Sequence, residues 1–151
     1  MKIAIGSDHG GFELKEKIKS FLKGWHYEIK DFGTHSEKRC DYPIIGYKVA
    51  SGVAKGNFDR GILICKSGIG MCIVANKVSG IRGALLTDLK SACFSRQHND
   101  ANVAILSGSN VAISEAKRML EVWLSTEFEG GRHKKRIDQI KKIEKMENRS
   151  S

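Results

Sequence analysis

Short apolar runs alternate with stretches of helical periodicity along the whole chain. Lys2–Gly6 is strand-like, and residues 12–23 follow with Leu14, Ile18, Phe21 and Leu22 at helical spacing. Residues 26–32 predict a second strand, and residues 44–55 a helix with Pro43 near its first turn. A third strand is expected over 60–65 and a short helix over 71–78. Residues 81–86 read as the fourth strand and 88–97 as the next helix, with Asp88 placed to cap it. Residues 102–107 give the fifth strand, and 111–125 a long amphipathic helix.

Strands that alternate with helices in this way predict a parallel sheet covered on both faces, with right-handed crossovers. The expected fold class is therefore α/β: a single-domain three-layer α/β/α sandwich with a five-stranded parallel sheet, Rossmann-like in outline. Residues 1–128 would form this α/β domain. Glu129-Gly130-Gly131 breaks the pattern, and residues 129–151 are expected as a C-terminal helical extension of the same domain. Ile137, Ile140, Ile143 and Met146 make an apolar stripe on that last helix. A stripe beyond an otherwise complete domain packs on a partner subunit or docks on its own chain.

At 151 residues the chain is long enough for one real core. It has no run of about 18 apolar residues that would span a membrane, and its start lacks the pattern of a signal peptide. A cytoplasmic protein is expected. The net charge of +9 raises the question of nucleic acid, but the charge is not gathered into one block. Residues 129–151 hold eight Lys/Arg against four Asp/Glu, and no nucleic-acid motif is present. A solvated basic surface is the plain reading, and attraction of small anionic substrates is compatible with it. The four cysteines, Cys40, Cys65, Cys72 and Cys93, include no C-x-x-C pair and no zinc-ligand spacing. Cys40, Cys72 and Cys93 are expected as small buried hydrophobes.

Cys65 is different because of where it falls. The run Gly61-Ile62-Leu63-Ile64-Cys65 ends in a thiol, and Lys66-Ser67-Gly68-Ile69-Gly70 then leads into a helix. Ligands of open α/β sheets bind at that carboxyl edge. A helix N-terminus there favours the thiolate, and its amides suit a phosphate or a developing oxyanion. Gly6-Ser7-Asp8-His9-Gly10-Gly11 ends the first strand at the same edge. It lacks the dinucleotide spacing G-x-G-x-x-G and supplies a carboxylate and an imidazole instead. Asp8 is either a helix cap or, with His9, part of an acid/base or anion-binding pair. Tyr42, in Asp41-Tyr42-Pro43, either belongs to a simple helix start or turns its hydroxyl to the ligand. Arg132 and Arg136, four apart, share a helix face and either suit a phosphate or are two solvated arginines. His98 lies in Ser95-Arg96-Gln97-His98-Asn99-Asp100, a helix-to-strand loop. Such loops sit at the amino edge, so a catalytic His98 makes sense if a second subunit presents it.

Taken together, these motifs closely resemble the type B ribose-5-phosphate isomerases, in the family that includes galactose-6-phosphate isomerase. The motifs Ala75-Asn76-Lys77 and Glu129-Gly130-Gly131-Arg132-His133 add to the match, which runs from Met1 to about Ile143. The resemblance implies a metal-free, cofactor-free aldose–ketose isomerase that interconverts ribose 5-phosphate and ribulose 5-phosphate. By similarity Cys65 is the base, His98 assists ring opening with Asp8 nearby, and Ser67 shuttles hydroxyl protons. The amides of Lys66, Ser67, Gly68, Ile69 and Gly70 hold the enediolate. His9, Arg132 and Arg136 contact the phosphate, and Asn99 a sugar hydroxyl. Two positions depart from the family pattern: Lys66 follows the cysteine where glycine is usual, and Asn110 stands where arginine is common, among the substrate-binding positions. The family implies a homodimer or homotetramer with shared active sites. The rival readings are a hexose 6-phosphate isomerase, a non-catalytic sugar-phosphate-binding module, and a thiol redox protein using Cys65 and Cys72.

Overall fold

A computed structural model describes residues 1–150 of the chain. Its three central strands, residues 2–7, 60–65 and 103–107, are the apolar runs, because they are buried on two faces and need no polar side. The strands are β1 (Lys2–Ser7), β2 (Glu28–Asp31), β3 (Arg60–Cys65), β4 (Gly83–Leu85) and β5 (Val103–Ser107). All pair in parallel in one sheet of order β2-β1-β3-β5-β4. The helices are α1 (Phe12–Gly24), α2 (Tyr42–Ala54), α3 (Ile69–Asn76), α4 (Leu89–Gln97), α5 (Ile113–Ser125) and α6 (Arg132–Arg149). A short 3₁₀ turn, His9–Gly11, joins β1 to α1.

Alternation along the strands sorts the helices into two layers. Ile3, Ile5, Ile62, Ile64, Ala104 and Leu106 face α1, α4 and α5, around the fully buried Trp123. Ala4, Leu63, Cys65, Val103 and Ile105 face α2 and α3. The chain changes layer whenever it reverses direction across the sheet, as a single crossover hand requires. After β1 it leaves into the α1 layer, and after β3 into the α3 layer. Their connecting loops diverge at the carboxyl edge and open a crevice between neighbouring strands.

Several element ends differ from the sequence expectation. The second strand shrinks to Glu28–Asp31, because His26 at φ 63° turns the chain out of α1 first. The fourth shrinks to Gly83–Leu85, since it is an edge strand and Arg82 bonds to the β5 approach instead. Helix α2 starts earlier, at Tyr42, with Pro43 in its first turn. Helix α3 starts at Ile69 rather than Met71, so its first amides come closer to Cys65. Asp88 caps α4 as expected, in a reciprocal capping box with Ser91. Lys15 breaks the pattern most clearly: a lysine on α1 is fully buried, with its ammonium 2.5 Å from Asp31 of β2. No helix among the described residues is long and apolar enough to cross a membrane.

Candidate active site

Cys65 is the last residue of β3 and is 4 % exposed. The expectation that the other three cysteines are buried fails: Cys40, Cys72 and Cys93 are each partly exposed. They lie on helices or in loops, where one side meets solvent, whereas Cys65 belongs to a central strand. Burial pushes the Cys72 thiol up from its ordinary range, and the Cys65 thiol adds to this, against weaker help from Asn76 and the Leu85 backbone. A thiol disfavoured as thiolate is a poor partner for exchange.

The loop after Cys65 is held from three sides. Lys66 C=O accepts from Ser109 N–H (3.1 Å) and from Ser107 Oγ (2.7 Å), and Cys65 C=O accepts from Gly108 N–H (2.9 Å). Ser67 Oγ accepts from Ile69 N–H at 3.2 Å. Gly68 sits at φ 82°, and a Cβ there would stand 2.5 Å from Leu85 Cδ1, so only glycine fits. With Gly68 turned this way, the amides of Ser67, Gly68 and Gly70 have no protein acceptor among the described residues. They form a row of free donors beside a buried thiol. Tyr42 lies across this row: a Cβ at Gly70 would stand 2.8 Å from its hydroxyl. A cavity of about 230 Å³ lies alongside, lined by Ser67, Ile69, Ser107 and Asn110 among others.

On the other wall, Asp8 is 6 % exposed and its Oδ1 accepts from Gly10 N–H (2.9 Å) and Gly11 N–H (3.2 Å). The cap reading of Asp8 therefore holds for one oxygen. His9 Nδ1 accepts from Cys40 N–H at 3.2 Å. That bond places the ring proton of neutral His9 on Nε2, which makes Nε2 a donor.

His98 and Asn99 are not in this crevice. His98 ends α4 and Asn99 follows it, ahead of β5, at the amino edge of the sheet. Ser107, beside Cys65 in the register, lies four residues beyond Val103, so the two edges are roughly 13 Å apart along the strand. Arg132 and Arg136 are exposed on the first turns of α6, at the same end as His98. The structure thus gathers two half-sites on opposite edges: Asp8, His9, Tyr42, residues 65–70 and Asn110 on one, and His98, Asn99, Arg132 and Arg136 on the other.

The amino-edge half-site holds residues to which the sequence reading gave no role. The His98 ring is stacked between Phe94 (centroids 4.6 Å) and His133 (4.3 Å). Glu129 stands 3.5 Å from His133, and its N–H bonds to Gln97 C=O, which ties the Gly130-Gly131 hinge to α4. His98, Glu129 and His133 offer ligand atoms within 4.8 Å of one another. The rings are only 13° from parallel, so their lone pairs run side by side and the arrangement is a stack. Burial and the neighbouring His98 and Arg132 push His133 below the ordinary histidine range, against the pull of Glu129. Arg82 and the buried Arg96 both grip Asp100, at 3.1 and 2.8 Å, and so shape the loop. The i,i+4 spacing of Arg96 and Asp100 was the one signal of this in the sequence.

Comparison with known proteins shows the family of the chain. Residues 3–140 match the model of the ribose/galactose isomerase family. The chain is 45 % identical to ribose-5-phosphate isomerase B of Escherichia coli, over 97 % of this chain and 99 % of that one. It is also similar to the structure of the Clostridium thermocellum ribose-5-phosphate isomerase B, with a TM-score of 0.95, 51 % identity and coverage of 97 % and 99 %. A Mycoplasma genitalium ribose-5-phosphate isomerase B, solved with bound ribulose 5-phosphate, superimposes with a TM-score of 0.92 at 42 % identity, covering 95 % and 96 %.

Proposed function

The chain belongs to the ribose/galactose isomerase family, and on that premise we propose that its crevice performs the aldose–ketose interconversion of D-ribose 5-phosphate and D-ribulose 5-phosphate. The carrying observation is a buried strand-end thiol beside free amides. Isomerisation through an enediolate needs a base at the C1–C2 edge, donors for the oxygen that gains charge, and an anchor for the distal phosphate. Cys65 as thiolate takes the proton from C2 and returns it to C1. The free amides of Ser67, Gly68 and Gly70 hold the enediolate oxygen, each such donor being worth roughly 2.7–4 kcal/mol. Ser67 passes the proton between the two hydroxyl oxygens. His9 Nε2–H, Arg132 and Arg136 take the phosphate, while Tyr42, Asn99 and Asn110 line the sugar. Asp8 orients the turn that carries His9. His98 moves the proton that opens the furanose ring.

These groups meet only if two copies of the chain pack with opposite edges together. In that homodimer, His98, Asn99, Arg132 and Arg136 of one subunit face the Cys65 crevice of the other. Exposed apolar residues support such an interface. Ile44, Tyr47, Ile69 and Ile73 are each more than half exposed around the thiol half-site, and Ile143 and Met146 on α6 likewise. The same α6 also docks on its own chain, through Glu144 to Gly80 N–H at 2.9 Å. Homology to metabolic enzymes fits action in the cytoplasm.

The test is turnover of ribose 5-phosphate against galactose and allose 6-phosphates, in the wild type and in Cys65→Ala. Wild type should act best on ribose 5-phosphate, and Cys65→Ala should be inactive with unchanged circular dichroism. Near-normal turnover in Cys65→Ala removes the thiol as base, and a preference for a hexose 6-phosphate overturns the pentose assignment.

A further inference from the structure

Lys66 has no task in the chemistry above beyond its backbone, yet its side chain stands in an unusual place. It is exposed at the mouth of the crevice, and among the described residues no carboxylate lies within 4.0 Å of its ammonium. Its backbone is locked on both sides. A Cβ at Gly10 would stand only 3.0 Å from Lys66 Cβ, which seats the side chain against the turn that carries His9. On the other side Ser107 Oγ donates to Lys66 C=O (2.7 Å) and accepts from Asn110 N–H (3.1 Å), so one hydroxyl joins the residue to the Asn110 loop. The Cβ of Lys66 therefore stands by the His9 turn, which leads into α1, and its backbone is joined to the Asn110 loop. The Cys65 side chain faces α2 and α3 instead.

This placement separates the two ends of a sugar phosphate. The thiol and the free amides serve the carbonyl end. The far wall offers the imidazole donor of His9 and one uncommitted cation, Lys66. An ammonium is a compact charge on a flexible four-carbon stem and a common phosphate binder. Leaving a cation without a counter-ion beside an anion site gives nothing to the apo fold, but it strengthens capture of the anion.

We propose that the Lys66 side chain is a phosphate-binding residue of the subunit that supplies Cys65, and so a determinant of specificity for phosphorylated over free sugars. This rests on the isomerase reading and adds to it. The clamp is then composite: Lys66 and His9 come from one subunit, and Arg132 and Arg136 from the other.

Full-length Lys66→Met keeps the stem and removes the charge, and Lys66→Arg restores a charge. In Lys66→Met the KM for ribose 5-phosphate should rise roughly 10- to 100-fold, the range of a lost charge-assisted bond. Its kcat should stay within about threefold, since the bond is made equally in ground and transition states. Competitive inhibition by inorganic phosphate should weaken in parallel, and both losses should be largely reversed in Lys66→Arg. Unchanged KM and phosphate inhibition in Lys66→Met overturn the proposal. So does a fall in kcat with phosphate binding intact, which would assign the ammonium to the reacting end. Calorimetric titration of inorganic phosphate into wild type and Lys66→Met measures the lost affinity without turnover. It therefore separates failure of this inference from failure of the isomerase assignment.

Discussion

At Cys65, position decides more than residue type. Four cysteines occur in the chain, and the one on a central strand is the one enclosed, with unsatisfied amides next to it. Gly68 makes this possible, because its left-handed backbone starts α3 only four residues after the thiol. At the other half-site, Arg132 and Arg136 are exposed and neither is paired with a carboxylate in the described residues. Arg132→Ala and Arg136→Ala should each raise the KM for ribose 5-phosphate by about tenfold or more, with little change in kcat. Steady-state kinetics on both variants checks this. Two variants with wild-type constants would leave the arginines as surface residues.

At the scale of elements, the join of α1 to β2 is made by charge. Asp31 Oδ2 accepts from Lys15 Nζ (2.5 Å) and Lys19 Nζ (2.7 Å), while Oδ1 accepts from Gly33 N–H (2.8 Å). The Lys15 side chain has no exposure at all, and without Asp31 its buried ammonium keeps only Glu16, at 3.0 Å. Asp31→Asn should therefore cost stability, at most the ~3–5 kcal/mol of a fully stranded buried charge, read from urea denaturation midpoints. Burial alone would raise the Asp31 carboxyl, but the bonds from Lys15, Lys19 and Gly33 outweigh it and hold it below its ordinary 3.8. A carboxyl lowered in the folded state stabilises fully above the unfolded value and loses that contribution as pH falls through the lowered one. Below pH 3.8 the stability of the wild type should thus decline more steeply than that of Asp31→Asn. Equal stability of the two proteins at neutral pH would show that the network contributes nothing net.

For the whole molecule, the proposed site residues stand on opposite edges of the sheet. A larger concavity of about 700 Å³ lies at the amino edge, between α6 and residues 76–84, with Asn99 in its wall. It holds no thiol, and the thiol crevice holds no catalytic imidazole from the His98 loop. The proposed site shared between two subunits would bring the two halves together. Cys65→Ala and His98→Ala should each be inactive alone. After mixing under conditions that exchange subunits, part of the activity should return, because one site of a mixed dimer inherits both intact residues. If mass spectrometry shows mixed dimers and no activity returns, Cys65 and His98 do not act in one shared site.

Alternating apolar runs and helical periods determined the class of fold, because period 2 and period 3.6 bury different faces whatever the rest of the chain does. The glycine loop after Cys65 and the carboxyl edge on which it lies were equally legible, since both follow from local order along the chain. The strand order was not, because β5 inserts between β3 and β4 through contacts remote in sequence. Nor was the burial of Lys15, which depends on Asp31 arriving from another element. The stack of Phe94, His98 and His133 and the grip of Arg82 and Arg96 on Asp100 likewise join separate segments. Local physics set which residues could be chemical. Long-range packing decided which of them stand on the same edge, because distance in a folded chain is fixed by the pairing of elements and not by position in the sequence.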